Sequence, residues 1–176
     1  VPIILSTVKP ETDLEKLAIK HLSEWDFYCS VESVGCSLYN YFSRILMREL
    51  LVDELGEKRY LSYSKVADYW HFYKFIMKNN NSKWWDNVDT KKKETNFEVI
   101  NLAFSNMIKK IEERLGSDIT KWKWGNIHQV TYKHLFGSNS VFGLVFNLGP
   151  YPTGGGYSQV NNMASARGSE KFNIRS

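Results

Sequence analysis

Residues 122–134, WKWGNIHQVTYKH, mark the point at which the sequence changes character. Before this stretch, apolar residues recur at intervals of three and four, which is the period of an amphipathic helix. After it, glycines and short β-prone runs replace that period. The sequence therefore predicts an α+β protein that is mainly α, with a helical, bundle-like region over residues 1–116 and a tail of short strands and loops over residues 117–176.

The apolar period predicts four helices before the tail. Thr12 and Glu15 have the spacing of a capping box, which marks the start of the first helix. Gly56 and Gly116 follow the last apolar positions of the second and fourth helices, where glycine is a common cap. Three lysines before the fourth helix oppose its dipole, so that helix should begin near Thr95. The predicted helices cover residues 12–25, 34–55, 65–78 (starting from Ser62 or Ser64) and 95–115.

The tail carries three β-prone runs, at residues 129–132, 141–146 and 172–174. So few short strands do not form a stable sheet by themselves. The chain also holds six Trp, ten Tyr and ten Phe, which is heavy for 176 residues. We therefore expect some of these rings to cover a partner surface or another part of the same protein.

The net charge by itself excludes few classes of partner. A net charge of +4 is too small by itself to indicate a nucleic-acid partner. Residues 83–85 and 121–124 interleave lysine with tryptophan, as single-strand binders do, but no RNA-binding motif accompanies them. No apolar run approaches the roughly eighteen residues of a membrane helix. We expect neither a nucleic-acid partner nor a membrane span.

Cys29 and Cys36 are the two cysteines of the chain. Their spacing matches neither a zinc knuckle nor a CxxC redox motif, and two cysteines do not make a disulfide framework. Free cysteine behaves as a small apolar residue. The sequence therefore predicts two buried free thiols.

The histidines and glycines of the tail are candidate site residues. His128 and His134 are six apart, which places them on one face if that run is a strand. Because no third ligand or HExxH spacing accompanies them, a structural hydrogen-bonding role is favoured over metal binding, with substrate contact as the alternative. The Gly149-Pro150 turn and the glycines at 154–156 lack a phosphate-loop context. They predict a close backbone approach, either structural or lining a pocket.

One set of residues occurs in a recognisable order. Leu22, Trp25 and Asp26 form an L-x-x-W-D segment ahead of a long helix. The tail then reads Trp122, Trp124, Gly125, His128, Tyr132 and His134, followed by Asn147-Leu148-Gly149-Pro150, three glycines at 154–156, and Val160-Asn161. In order and spacing, the chain resembles the C-terminal part of the β chain of penicillin acylases and of their acyl-homoserine-lactone and cephalosporin acylase relatives.

The resemblance implies an N-terminal-nucleophile hydrolase with an αββα fold, made as a precursor that cleaves itself. The new N-terminal residue attacks an amide carbonyl, with its own amino group as base. That nucleophile, the oxyanion donor and the calcium ligands of some members all belong to sequence outside this chain. By the same resemblance the tail completes part of the hydrolase sheet. The implied partners are the remaining α- and β-chain segments and a small N-acyl substrate. The implied compartment is periplasmic or extracellular if a signal peptide lies upstream. The residues assigned to the substrate pocket or to a structural motif are Trp124, Gly125, His128, His134, Gly149, Pro150 and Asn161.

Three functions remain open. The first is a segment of an amide-hydrolysing acylase, and the second is an acylase-like protein that has lost catalysis and acts as a binding or interaction module. The third is a helical nucleic-acid-binding domain, which the modest charge disfavours. Residues 137–139, Gly-Ser-Asn, resemble the junction at which family precursors cleave, but they follow the WGxxH run instead of preceding it, and we interpret them as a loop.

The aromatic residues of the tail lead to one more expectation. If the tail completes a larger sheet, its rings lack their covering in the chain by itself. Residues 137–176 should then be less stable than the helical part, or should be held by self-association with another copy. The rings concerned are Tyr132, Phe136, Phe142, Phe146 and Tyr157.

Overall fold

The structure is a computed structural model, and it describes residues 1–66, 70–132, 134 and 146–156. It is mainly helical with a small antiparallel sheet, which confirms the predicted fold class. The helices are α1 (Pro2–Thr7), α2 (Asp13–Ser23), α3 (Val34–Leu55), α4 (Glu57–Val66), α5 (Trp70–Ile76), α6 (Asn96–Leu115) and α7 (Trp124–Ile127), with 3-10 turns at Lys83–Trp85 and Ile119–Lys121. The strands are β1 (Gln129–Tyr132) and β2 (Leu148–Pro152).

The centre of the fold is the packing of α3 against α6. Each helix carries an apolar stripe at helical spacing, and the stripes face each other across the core. Phe42 of α3 and Phe104 of α6 are fully buried, and their ring centroids lie 6.4 Å apart. The buried residues of α6 are Val99, Ile100, Ala103, Phe104, Met107, Ile108 and Ile111.

A buried carboxylate ties α2 to α6. Glu15 accepts hydrogen bonds from the backbone N–H groups of Glu11 and Thr12, and Ser105 of α6 donates its hydroxyl at 2.6 Å. Burial raises the pKa of the Glu15 carboxyl, but the hydrogen bonds from Ser105, Glu11 and Thr12 outweigh it and hold the pKa below its usual value. The predicted capping box of Thr12 and Glu15 is confirmed.

The predictions for the second and fourth helices are confirmed. Gly56 and Gly116 follow α3 and α6 with φ of 71° and 81°, a region that favours glycine. Thr95 is the N-cap of α6, as the lysines before it indicated. The first predicted helix corresponds to α2, and α1 was missed because six residues are too few for a clear period.

The predicted start of the third helix was wrong. The chain turns at Gly56 and a helix resumes at once at Glu57, so Ser62 and Ser64 lie inside α4 and not at a helix start. An ion pair between Glu57 and Arg48 of α3 bridges the bend, with Nη2–Oε2 at 2.7 Å. Within the predicted run, α4 extends to Val66 and α5 covers Trp70–Ile76, and residues 67–69 lie outside the described residues.

The two strands pair antiparallel, with Val130 opposite Tyr151. The prediction of β1 is confirmed, but Gly149-Pro150, predicted as a turn, lies in β2, across a cis peptide bond. Proline is tolerated there because an edge strand can leave one position without an N–H. The predicted strand at 172–174 and residues 141–145 of the predicted 141–146 strand lie outside the described residues.

The prediction of free thiols was also wrong. Cys29 and Cys36 form a disulfide, with their Cα atoms 5.3 Å apart. The chain leaves the loop after α2, enters α3 at Val34, and so brings the first turn of the helix back beside Cys29. That return depends on the fold and not on the spacing of the cysteines.

Within the described part of the chain, no helix combines the length and the apolarity that crossing a membrane requires.

Candidate functional site

The loop between α2 and α3 presents a row of backbone carbonyls to the tail. The carbonyl oxygens of Cys29, Val31 and Ser33 are here called the carbonyl row. The loop turns at residues 31–32, where the N–H of Ser33 donates to the carbonyl of Ser30 at 3.1 Å. Each carbonyl of the row accepts a hydrogen bond from a residue that follows α6. The donors are the N–H groups of Gly155, Gly125 and Trp124, at 2.7, 2.8 and 3.0 Å respectively.

Two glycines are required by this close approach. A Cβ added to Gly125 would lie 3.0 Å from the Cβ atoms of both Val31 and Pro152. A Cβ added to Gly154 would lie 2.8 Å from the carbonyl oxygen of Cys29. Both distances are shorter than ordinary van der Waals contact, so only glycine lets the backbones meet.

Trp124 is the first residue of the motif segment, which is defined here as residues 124–128. Its side chain is 1% exposed, and its indole Nε1 donates to the carbonyl of Gly155 at 2.8 Å. The indole ring stacks on the imidazole of His128, with centroids 4.5 Å apart and planes inclined by 18°. Trp124 therefore joins the N-terminal end of α7 to the glycine-rich end of the tail.

His128 is fully buried and holds the segment that follows β2. Its Nδ1 lies 2.9 Å from the carbonyl oxygen of Thr153, and its own carbonyl accepts the N–H of Thr153 at 3.1 Å. Because a carbonyl oxygen can only accept, Nδ1 carries the proton in this contact. The predicted structural hydrogen-bonding role of His128 matches this geometry.

His134 lies elsewhere. It is exposed, its N–H donates to Oδ1 of Asn147 at 3.0 Å, and its ring lies 5.4 Å from that of Phe146. His128 and His134 were expected to share a face only if their run is one strand, and that condition is not met in the described residues. His128 precedes β1, and an irregularity between Val130 and Tyr132 breaks the two-residue alternation before His134 is reached.

The remaining predicted residues divide in two. Gly149 and Pro150 lie in β2 and are exposed. Gly149 has a φ of 116°, and an added Cβ would lie 2.6 Å from the carbonyl oxygen of Val130, so the predicted close backbone approach is present. Asn161 lies outside the described residues, as do residues 137–139. The structure thus brings together Trp124, Gly125 and His128, and leaves His134 apart from them.

The sequence did not reveal the other half of the site. The acceptors are backbone carbonyls of the loop after α2, and a backbone carbonyl has no residue-type signature. The glycines signalled that something approaches closely but not which segment it is. The signal that could have found it is the L-x-x-W-D segment at residues 22–26, which leads directly into this loop.

The arrangement is suited to holding backbone together. In the described residues, the motif segment pairs no nucleophile with a base, and no group of three or more His, Cys, Asp or Glu side chains could hold a metal ion. A shallow cavity of about 470 Å³ is lined by Phe75, Lys78 and residues 79–82, and it shares no residue with the motif segment. The contacts of Trp124, Gly125 and His128 join backbone segments of this part of the chain.

Comparison with known proteins agrees with the motif. The chain is 28% identical over 166 residues to the acyl-homoserine lactone acylase QuiP of Pseudomonas syringae pv. syringae, a match that covers 86% of the chain and 19% of that protein. It is 26% identical to QuiP of Pseudomonas aeruginosa, covering 87% of the chain and 20% of the relative, and 25% identical to QuiP of Pseudomonas fluorescens strain Pf0-1, covering 92% and 20%. The chain thus spans about a fifth of the length of these curated relatives. The sequence profile described as penicillin amidase matches residues 2–176, and the chain therefore belongs to the penicillin amidase family.

Proposed function

We propose that the chain is a segment of a penicillin-acylase-like amidase with an αββα N-terminal-nucleophile fold. The whole enzyme hydrolyses the linear amide bond of N-acylated substrates of the penicillin, cephalosporin or acyl-homoserine-lactone type, and its nucleophile lies outside this chain. The observation that carries the assignment of roles is the burial of the motif: Trp124 and His128 contact backbone and not solvent. Groups enclosed in this way position structure and do not meet a substrate.

We expect the segment to be inactive by itself, for a reason that lies in the chemistry of amide hydrolysis. A hydroxyl is weakly nucleophilic near neutral pH and needs an adjacent base, which a free N-terminal amino group can supply. The tetrahedral intermediate also needs preorganised donors for its oxyanion. We propose that the base with its nucleophile and the oxyanion donors lie in other segments of the precursor. This chain supports the hydrolase sheet through β1, β2 and the carbonyl row.

The exposed side chains of the small sheet support the proposed partner. Leu148 and Tyr151 of β2 are 59% and 49% exposed, and Tyr132 of β1 is 54% exposed. Burying such a side chain contributes about 1.5–3 kcal/mol. We propose that the remaining α- and β-chain segments of the same precursor cover these side chains and continue the sheet from its edge, with self-association as the substitute when those segments are missing.

The test compares the 176-residue chain with the protein translated from its entire reading frame. Both are assayed for acyl release from phenylacetyl and fatty-acyl anilides and from N-acyl-homoserine lactones. We expect no turnover by the 176-residue chain and turnover by the longer protein, with a new N-terminal Ser, Cys or Thr found by mass spectrometry. Ser138→Ala is the matched control and should leave turnover unchanged.

Other outcomes would contradict the proposal. Turnover by the 176-residue chain that Ser138→Ala abolishes would place the nucleophile at residue 138. A longer protein that binds N-acyl substrates without hydrolysing them would establish the alternative, an acylase-like binding module that has lost catalysis.

A further inference from the structure

The disulfide closes directly over the carbonyl row. Cys29 is the first residue of the row, and Cys36 lies in the first turn of α3, so the crosslink spans Val31 and Ser33. Both cysteines are buried. The hydroxyl of Ser33 caps α3 by accepting the N–H of Cys36 at 3.1 Å. Every carbonyl of the row thus lies within, or at the edge of, one small covalent ring.

The loop upstream of this ring contacts α3 through Trp25, whose ring packs on Gly35 and lies 5.6 Å from the ring of Tyr39. Asp26 and Trp25 also make local hydrogen bonds, to the N–H and to the carbonyl of Tyr28. These contacts act upstream of Cys29, whereas the disulfide ties Cys29 itself, and with it the first carbonyl of the row, to α3.

We propose that the Cys29–Cys36 disulfide is a redox latch for the motif segment. When the bond is formed, the carbonyl row is held at the spacing that Gly155, Gly125 and Trp124 need. When the bond is reduced, the row loses its register, and the motif segment and residues 153–155 separate from the loop while the α3–α6 core stays folded. This inference stands on the contacts of the chain and does not depend on the proposed amidase activity.

The redox step needs an external dithiol or disulfide. A dithiol such as dithiothreitol attacks one sulfur, the S–S bond breaks, and the reagent closes to its own cyclic disulfide. Two electrons and two protons pass to the protein, which gains two thiols. Formation is the reverse exchange with a disulfide oxidant. Disulfides persist in oxidising compartments. The Cys29–Cys36 bond therefore forms where the protein meets disulfide oxidants, and it is reduced where dithiols prevail.

The experiment measures amide hydrogen exchange at three sites in the oxidised and the dithiothreitol-reduced chain. The reporters are the N–H groups of Gly125 and Gly155 on the carbonyl row and that of Phe104 in α6. The disulfide closes a loop of eight residues, and reduction increases the conformational entropy of that loop once it has separated from the motif segment. If all of this entropy favours separation, exchange at Gly125 and Gly155 should become faster on the order of 50-fold. In the reduced chain Phe104 should stay much more strongly protected than Gly125 and Gly155, because the α3–α6 core stays folded when the motif segment opens.

Two glycine variants show whether the disulfide and the row act through the same contact. In the oxidised chain, Gly154→Ala places a Cβ against the carbonyl of Cys29, so Gly155 should exchange faster with the disulfide intact. Reduction of that variant should add little more. Gly156→Ala is the matched control, since an added Cβ there meets nothing within 4 Å, and it should respond to reduction as the original chain does.

Three results would overturn the proposal. One is two free thiols in a chain refolded with a disulfide oxidant, counted by alkylation and mass spectrometry. Another is full protection at Gly125 and Gly155 after complete reduction. The third is exchange at Phe104 as fast as at Gly125 and Gly155 in the reduced chain, which would mean that the whole fold opens and not the motif segment alone. Cys29→Ser with Cys36→Ser should reproduce the reduced pattern, and reduction of the unsubstituted chain decides the matter if that variant does not fold.

Discussion

The α3–α6 core and the motif segment are held together by opposite means. In the core, large apolar side chains fill the space between two long helices, as Phe42 and Phe104 do. On the carbonyl row, the N–H groups of two glycines and of Trp124 reach carbonyl oxygens directly, and little room is left for a Cβ at Gly125 or Gly154. The core should therefore be sensitive to removing atoms, and the motif segment to adding them.

This difference accounts for the residue types of the motif segment. A packed core accepts many apolar residues of similar volume. At Gly125 and Gly154 an added Cβ would meet neighbouring atoms, whereas the side chains of Trp124 and His128 each bond a specific carbonyl.

The largest effect is expected in the core. Phe104→Ala should lower the free energy of unfolding by about 3–5 kcal/mol, because it removes a buried ring and leaves a cavity between α3 and α6. Urea unfolding followed by circular dichroism measures the change. Phe75→Ala is the control, since that ring is 51% exposed, and it should stay within about 0.5 kcal/mol. Equal losses would mean that Phe104 is not a core residue.

The motif segment should respond to the opposite change. Gly125→Ala adds one carbon between Val31 and Pro152 and should cost about 1–3 kcal/mol, as overpacking does. The same urea titration measures it. Gly156→Ala adds the same carbon in open space, so it should stay within about 0.5 kcal/mol. If both variants behave alike, the contrast between core and motif segment is wrong.

A smaller effect on stability is expected at the start of α6, where the exposed capping residues contribute in addition to the core. A hydrogen bond from Lys92, followed by those from the N–H and hydroxyl of Thr95, lowers the pKa of Glu98 from 4.5 to about 2. Because the folded pKa lies below the unfolded one, Glu98 stabilises the fold above pH 4.5 and loses that contribution as the pH falls from 4.5 towards 2. Glu98→Gln should flatten the fall in Tm across that window. An unchanged slope would show that the carboxylate does not cap α6.

The parts of the fold that the sequence predicted are those governed by local rules. The second and fourth helices follow from apolar period, from Thr95 as cap and from glycines at 56 and 116, all of which act within a few residues. The third helix was misplaced because Gly56 permits an immediate restart that the apolar period does not mark.

The site was predicted only by half. Trp124, Gly125 and His128 were identifiable because their residue types are unusual in combination. In the structure Trp124 and His128 are buried, and little room is left for a Cβ at Gly125. The carbonyl row and the disulfide were missed, because both depend on two distant segments meeting in the fold. β2 was missed because Pro150 and two-sided exposure hide the alternation that marks a strand.

The measurement that tests the central claim most directly is the reactivity of the histidines. Diethyl pyrocarbonate acylates accessible imidazoles, and mass spectrometry of peptides locates the product. His128 is 0% exposed and its Nδ1 faces the carbonyl of Thr153, whereas His134 is exposed. In the folded chain His134 should react at the rate of a histidine in a free peptide, and His128 should react only after unfolding in urea. If His128 reacts as fast as His134 under native conditions, the motif is open to solvent and its structural role is wrong.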